Sequence, residues 1–325
     1  MAKNPSIGPF RAGMNNRRPD FKLALSKDEG GGHLLRDAVN VDVTGQGTIK
    51  TRAGYTLVEQ GLDCHSAWAP VARDFGLYCD SADLYRFDVL DDGSTQRTQI
   101  AAGFGRVTPV VYAQVNEAVY FTDGLRCGSY HPVQGPTPAW QQAAPKKVGD
   151  VQFSPMPAGS SIAYHAGRLL VAVGQYLIYS EPFTPNLRDE SRGFEVFPAP
   201  ITCLAAVEGG VFVMADQTYF LPAGVPSQAV RAVLSYGAPQ QMAGYTDDGG
   251  AFWMAAKGLV RANAQGELAN VQERHIAMEV SGSAATLHRE ADGAQAIVAT
   301  LSQPESIAAS VGSYAQARLV RKENP

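Results

Sequence analysis

Short apolar runs bounded by Gly, Asp and Asn recur along most of this chain at a nearly constant spacing. The core runs are Leu77-Tyr-Cys79, Val119-Tyr-Phe121, Leu169-Leu-Val171, Val211-Phe-Val213, Ala251-Phe-Trp253 and Ala296-Ile-Val298, at intervals of 42, 50, 42, 40 and 45 residues. Five of the six follow a nearby glycine (Gly76, Gly167, Gly210, Gly250, Gly293), and Val119 follows Asn116-Glu-Ala instead. After a short polar turn most lead into a second strand: Leu84-Tyr-Arg-Phe87, Tyr176-Leu-Ile-Tyr179, Thr218-Tyr-Phe-Leu221 and, more weakly, Gly258-Leu-Val-Arg261. Strand-length runs punctuated by turn residues predict a β-meander unit of about four strands. One such unit cannot bury both faces of its sheet, and stacking units radially covers those faces while leaving only short edges. The pattern predicts an all-β fold, a β-propeller of about six blades. A stack of sandwich domains is the alternative architecture.

Upstream of the repeat, Ala38-Val-Asn-Val-Asp-Val43 alternates apolar and polar positions, Thr44-Gly-Gln-Gly47 turns, and Thr48-Ile-Lys-Thr-Arg52 returns. This predicts a β-hairpin within residues 36–60, placed to add outer strands to the last blade and close the ring. Residues 1–35 lack periodicity and read as an extended N-terminal arm. The expected organisation is arm 1–35, closing hairpin 36–60 and propeller body 61–325.

Composition supports this picture: among 325 residues, charged residues make up 18%, with 33 Gly and 20 Pro, suiting many short strands and tight turns. The net charge of −4 gives no global electrostatic case for nucleic acid or an anionic membrane. Its distribution is uneven. Residues 1–27 carry Lys3, Arg11, Arg17, Arg18, Lys22 and Lys27 against Asp20 alone, a net of +5, so the remainder carries −9. A basic arm on an acidic body either docks to a neighbouring acidic surface or merely solubilises a terminus. Cys64, Cys79, Cys127 and Cys203 show no metal-ligand spacing, and thiols kept reduced in the cytosol and buried in strands are expected, although Cys64 and Cys79 could face each other across neighbouring strands. No apolar run approaches transmembrane length and no signal peptide is evident.

Candidate chemistry is sparse. The histidines His33, His65, His131, His165, His275 and His288 stand singly, without zinc-ligand spacing. Asp91-Asp-Gly-Ser94 and Asp247-Asp-Gly-Gly250 lack the spaced oxygens of a calcium loop and read as hairpin turns. Gly30-Gly-Gly32 lacks a following Lys-Ser/Thr pair, and no Gly-x-Ser-x-Gly turn occurs. No cofactor and no metal is implied. The insertion Glu181–Phe194 carries carboxylates and, with Phe183, Phe194 and Phe197, aromatics that pack under the loop or meet a partner. It shows no Asp-box, and the repeats lack Trp-Asp ends and the offsets of kelch repeats.

Two stretches carry a resemblance. Phe10-Arg-Ala-Gly-Met-Asn-Asn-Arg-Arg-Pro-Asp20, followed by Leu35-Arg-Asp-Ala-Val-Asn-Val-Asp-Val-Thr-Gly-Gln-Gly-Thr-Ile-Lys-Thr-Arg-Ala-Gly-Tyr55, resembles the amino-terminal region of tailed-bacteriophage virion proteins. In those, a G-[IM]-N-N arm precedes a hairpin and a propeller-like body. Ala163 to Phe183 is similar to a mid-body element of the same proteins. The resemblance covers about a third of the chain and implies a non-enzymatic structural protein of the virion tail, made in the host cytoplasm. It implies partners among other tail proteins and copies of itself in a symmetric assembly, DNA passing nearby without sequence-specific binding, and no membrane insertion. At 325 residues the chain is small for a short-tail nozzle, which usually adds domains. A distal-tail or baseplate component and a nozzle both stay open. Phe10, Arg11, Asn15, Asn16, Arg17 and Arg18 are the expected partner-binding residues. A host-carbohydrate-binding propeller and a propeller glycoside hydrolase are the rival functions.

Overall fold

The computed structural model describes residues 9–10, 12–19, 23, 32–39, 41–43, 46–51, 57, 60–61, 63–70, 75–105, 108–137, 140–278, 280, 282–291 and 294–302. Within them the fold is all-β, and the one complete helical element is the 3-10 turn Trp140–Gln142.

Five four-stranded antiparallel sheets follow one another along the chain, each with its strands in sequence order. Sheet I holds Cys64–Trp68, Gly76–Asp80, Asp83–Val89 and Thr95–Ala102; sheet II holds Val111–Val115, Ala118–Thr122, Cys127–His131 and Gly135–Thr137. Sheet III holds Ser161–His165, Arg168–Val173, Tyr176–Tyr179 and Phe194–Val196. Sheet IV holds Cys203–Val207, Gly210–Met214, Thr218–Pro222 and Arg231–Leu234; sheet V holds Gly244–Tyr245, Ala251–Ala255, Gly258–Ala262 and Leu268–Asn270. The first five core runs all fall in the second strand of their sheet. The turn into that strand needs a left-handed residue. Gly167 supplies it in sheet III at φ +82° beside Ala166 at +47°, and Asn116 at +54° replaces glycine in sheet II.

The sixth run differs. Ala296–Val298 lies in the two-stranded terminal hairpin Ser283–Ala291/Ala294–Ser302, with no third or fourth strand among the described residues. The N-terminal hairpin forms as expected, Val41–Val43 against Ile49–Thr51, but its strands pair only with each other among the described residues. An added three-stranded sheet joins Lys146–Val148, Val151–Pro155 and Leu187–Asp189, so part of the 181–194 insertion is a strand, not a loose loop.

Packing explains the continuous apolar runs. Alternate side chains of a strand point to opposite faces, and sheets II to V are covered on both. In sheet III, Leu169 and Val171 face sheet II while Leu170 and Ala172 face sheet IV. In sheet V, Ala251, Trp253 and Ala255 pack on sheet IV, and Phe252 and Met254 pack on the terminal hairpin. Each fully buried large side chain contributes about 1.5–3 kcal/mol. The segment between sheets IV and V runs where the sheets converge. Gln240 Nε2 donates to Ser160 O (2.7 Å), and the Gln241 amide donates to Met254 O (2.5 Å) and accepts from Met254 N (2.9 Å). Met242 Sδ accepts from Tyr112 N (3.4 Å), and its side chain packs on the clusters between sheets I and II and between II and III.

The cysteines follow the register. Cys64 pairs with Asp80 and Cys79 with His65, so the two sulfurs sit on opposite faces of sheet I. Neither is disulfide-bonded; Cys64 is exposed, whereas Cys79, Cys127 and Cys203 are buried.

Candidate interface at the N-terminal arm

The strongest concentration of specific polar contacts around the predicted residues is where the arm meets the body. Phe10 N donates to Gly47 O (2.8 Å), the tip of the N-terminal hairpin, and His33 N donates to Pro9 O (2.7 Å). Leu35 N donates to Gly13 O (2.8 Å) and Asn15 N to Leu35 O (2.7 Å), forming a short parallel bridge between Met14 and Leu35. Gly13 takes φ +75° just before this bridge, a conformation that costs glycine little. The Phe10 ring is half-buried and meets His33 edge-on at 6.4 Å.

The two asparagines then clasp the segment between sheet V and the terminal hairpin. Asn15 is buried, and its Oδ1 accepts the backbone N–H groups of Arg17 and Arg18 (3.1 Å each). Its Nδ2 lies 3.3 Å from His275 Nδ1; an amide nitrogen only donates, so this ring nitrogen accepts. Asn16 N donates to His275 O (3.1 Å). Its side-chain amide donates to Ala277 O (3.3 Å) and accepts from Ala277 N (2.6 Å), standing in for a peptide group of a strand neighbour.

The platform under this clasp is fixed to sheet V. Asn270 Oδ1 accepts from Gln272 N and Glu273 N, Gln272 Oε1 accepts from Leu259 N, and His275 N donates to Gln272 O. Tyr236 Oη donates to Glu273 (2.9 Å), and Lys257 lies over the Tyr236 ring at 4.9 Å. Burial pushes the Tyr236 phenol up, and its hydrogen bond to Glu273 pushes the same way against that from Asn270.

The structure thus divides the predicted partner-binding residues. Asn15 and Asn16 are engaged within the chain, Phe10 is half-buried against it, and Arg17 and Arg18 are exposed side by side. Arg11 lies outside the described residues. His275, Ala277 and Leu35 complete the clasp and carry no sequence signal: His275 is one single histidine of six, and the other two contribute backbone.

Elsewhere the surface offers less. A shallow cleft of about 530 Å³ is lined by Tyr120, Ser129, His131, Gln134, Trp140 and Asn186. An adjoining one of about 410 Å³ reaches Phe183, and its one carboxylate, Glu117, is 3.2 Å from His131. The carboxylates of the insertion are tied separately. Asp189 accepts from Ser191, which holds its carboxyl below the usual range, Glu190 accepts from Ser154, and Glu195 accepts from Ser227. Of the aromatics, Phe197 is buried on Tyr219, Phe194 meets Tyr176 edge-on, and Phe183 is 83% exposed. Both Asp-Gly sequences are hairpin turns, with Gly93 at φ +79° and Gly249 at +76°. Among the described residues no cluster of three or more His, Cys, Asp or Glu could hold a metal, and no helix is long and apolar enough to cross a membrane.

No family model matches the chain, and no curated protein does. Similar solved structures include the extracellular domain of a putative hybrid two-component system, BT4673, from B. thetaiotaomicron, at 10% identity and TM-score 0.43, covering 67% of this chain and 29% of that one. A functionally unknown protein from Desulfotomaculum acetoxidans matches at 12% identity and TM-score 0.42, covering 66% of this chain and 70% of its own. Kluyveromyces lactis Hsv2 matches at 10% identity and TM-score 0.37, covering 62% of this chain and 60% of its own. The chain therefore spans less than a third of the first of these proteins.

Proposed function

We propose that this chain is a non-enzymatic structural component of a bacteriophage tail, in the distal tail or baseplate or at the nozzle. Its body is a β-propeller of about six blades, and it joins neighbouring tail proteins and copies of itself through the N-terminal arm. The observation that carries the reading is the asparagine clasp. The G-M-N-N sequence that resembles virion proteins is the part of the arm that the body grips, and the grip leaves Arg17 and Arg18 exposed. The exposed Arg17 guanidinium, on a backbone fixed by Asn15, suits bidentate contacts to carboxylates of a partner. The acidic remainder of the chain makes a further copy one such partner.

The test is Arg17→Glu with Arg18→Glu in a virus that depends on the variant chain. Both side chains are exposed, so the free energy of unfolding should stay within about 0.5 kcal/mol of the parent. Incorporation into particles should fall by about tenfold or more, since like charges across an interface cost several kcal/mol. Normal incorporation of the charge-reversed chain would remove the arm from the docking role.

A further inference from the structure

The two adjoining clefts lie where sheet II meets the turn after the third strand of sheet III, and they share Ala118, Tyr120 and His131. None of the clasp residues lines them. Their floor is fixed: the Tyr120 ring packs on Trp140 at 5.6 Å, and Trp140 Nε1 donates to Pro157 O (3.1 Å). Tyr120 is only 9% exposed, yet its phenol makes no hydrogen bond among the described residues. Buried hydroxyls normally have a partner, so this one is placed to serve a group that enters the cleft. Burial pushes the phenol up, which keeps it a donor at neutral pH.

Beside it, His131 positions a carboxylate. Its Nδ1 accepts from Val133 N (3.2 Å) and Gln134 N (3.3 Å), so the ring proton sits on Nε2 and is donated to Glu117 Oε2 at 3.2 Å. Glu117 is 80% exposed at its side chain, and its other lone pairs remain available as acceptors. The side-chain amides of Gln134 and Asn186, both exposed in the first cleft, make no hydrogen bond among the described residues. The second cleft carries Phe183. Its backbone takes φ +56°, unusual for a bulky residue, and is held there by Phe183 N to Gly167 O (2.7 Å) and Thr184 N to Glu181 O (3.1 Å). Gly167 makes room for the ring, since a Cβ there would come within 3.0 Å of Phe183 Cε1. The chain accepts backbone strain at this turn, and the result is a ring 83% exposed to solvent. The core gains nothing from such a ring, whereas a ligand with an apolar face does.

We propose that the paired clefts bind a neutral oligosaccharide. The C–H face of a pyranose lies on the electron-rich face of the Phe183 ring, and sugar hydroxyls meet Tyr120, Glu117, Gln134 and Asn186. Hydroxyls donate and accept at once, which matches a lining that mixes a carboxylate acceptor with phenol and amide donors. With His131 neutral, Glu117 makes the clefts negative, and no Lys or Arg lines them to offset it. That charge disfavours uronic, sialylated and phosphorylated glycans. Glu117 is the one carboxylate in the lining, so the clefts supply binding and not the carboxylate pair of glycoside hydrolysis.

Titration calorimetry and saturation-transfer NMR on the full chain test this, with maltohexaose, cellohexaose and N-acetylchitohexaose as probes. At least one should bind at about 10 mM or below, and hexagalacturonate should bind at least about tenfold more weakly. Phe183→Ala, at an exposed side chain, should weaken the neutral hexamer about tenfold or more with unchanged thermal unfolding. Glu117→Gln should narrow the gap between hexagalacturonate and the neutral hexamer. Binding of none of the three neutral probes, or equal binding by Phe183→Ala, overturns the proposal. So does binding of choline or decaproline with the same dependence on Phe183 when no oligosaccharide binds, which would make the site one for a cation or a peptide.

Discussion

Sheets III to V and the N-terminal arm are both held in place, but by opposite means. Each sheet is sandwiched between neighbours, and the side chains that fix it, such as Leu170, Phe212 and Trp253, are fully buried. The arm has few buried apolar anchors among its described residues. Backbone bonds join residues 9–15 to 33–35 within it, and it is fastened to the rest of the chain by Phe10 N to Gly47 O, by Asn16 N to His275 O and by two asparagine amides that meet His275 and Ala277. Apolar burial is non-directional and collective, so the sheets should unfold cooperatively. The arm's attachment is directional and local, so it can open while the body stays folded.

Breaking the body should produce the largest effect. Trp253→Ala removes a fully buried ring that packs on Phe212 at 5.2 Å between sheets IV and V. It should cost about 3–5 kcal/mol, read as a lower denaturation midpoint with sheets III to V lost together. Retention of sheet III protection after sheet V is lost would show that the sheets are separate cooperative units.

The arm should respond on a smaller scale and in a different observable. Asn15→Ala deletes the acceptor for Arg17 N and Arg18 N and the donor to His275, at a cost of about 1–2 kcal/mol. Asn16→Ala, at a less buried site, should cost about 0.5–1.5 kcal/mol. Both should speed amide exchange in residues 12–18 and 275–277 while leaving the sheets at parental rates. A drop in global stability as large as that of Trp253→Ala would mean that the arm belongs to the core after all.

The finest distinction concerns the thiols. Burial pushes the Cys79 and Cys203 thiols up to about 12, whereas Cys64 is exposed. At pH 8 an alkylating reagent should label Cys64 and leave Cys79 and Cys203 until the sheets unfold. The same shift sets a pH limit. A thiol whose folded value is raised contributes stability that is fully present below its unfolded value near 9 and is lost as pH rises towards about 12. The denaturation midpoint should therefore fall above pH 9, and less so in Cys203→Ala than in the parent.

Much of the body was legible because strand periodicity and turn chemistry are local. The runs at Leu77, Val119, Leu169, Val211 and Ala251 each fell in the second strand of a sheet, and the expected N-terminal hairpin is seen as Val41–Val43 paired with Ile49–Thr51. The run at Ala296 was found as a strand, but its sheet has two described strands and not four. Periodicity reports that a strand exists and is silent on which edges are paired. The 181–194 insertion showed the same gap: Leu187–Asp189 pairs with Val151–Pro155, a contact between segments too far apart for any local signal.

The candidate site was legible by half. Asn15, Asn16, Arg17 and Arg18 stood out as a polar, basic stretch, but nothing in the sequence separated the amides that clasp residues 275–277 from the arginines that stay exposed. By itself the sequence determined the all-β character, the spacing of the repeated units and the positions of the turns, because these follow from residue-level preferences for burial and backbone conformation. Only the tertiary structure decided that Asn16 would find Ala277, more than two hundred and fifty residues away, and that Met242 would lie where the sheets meet. Those contacts depend on how the sheets stack, and each is stable only once the stacking has brought its partners within hydrogen-bonding or packing distance.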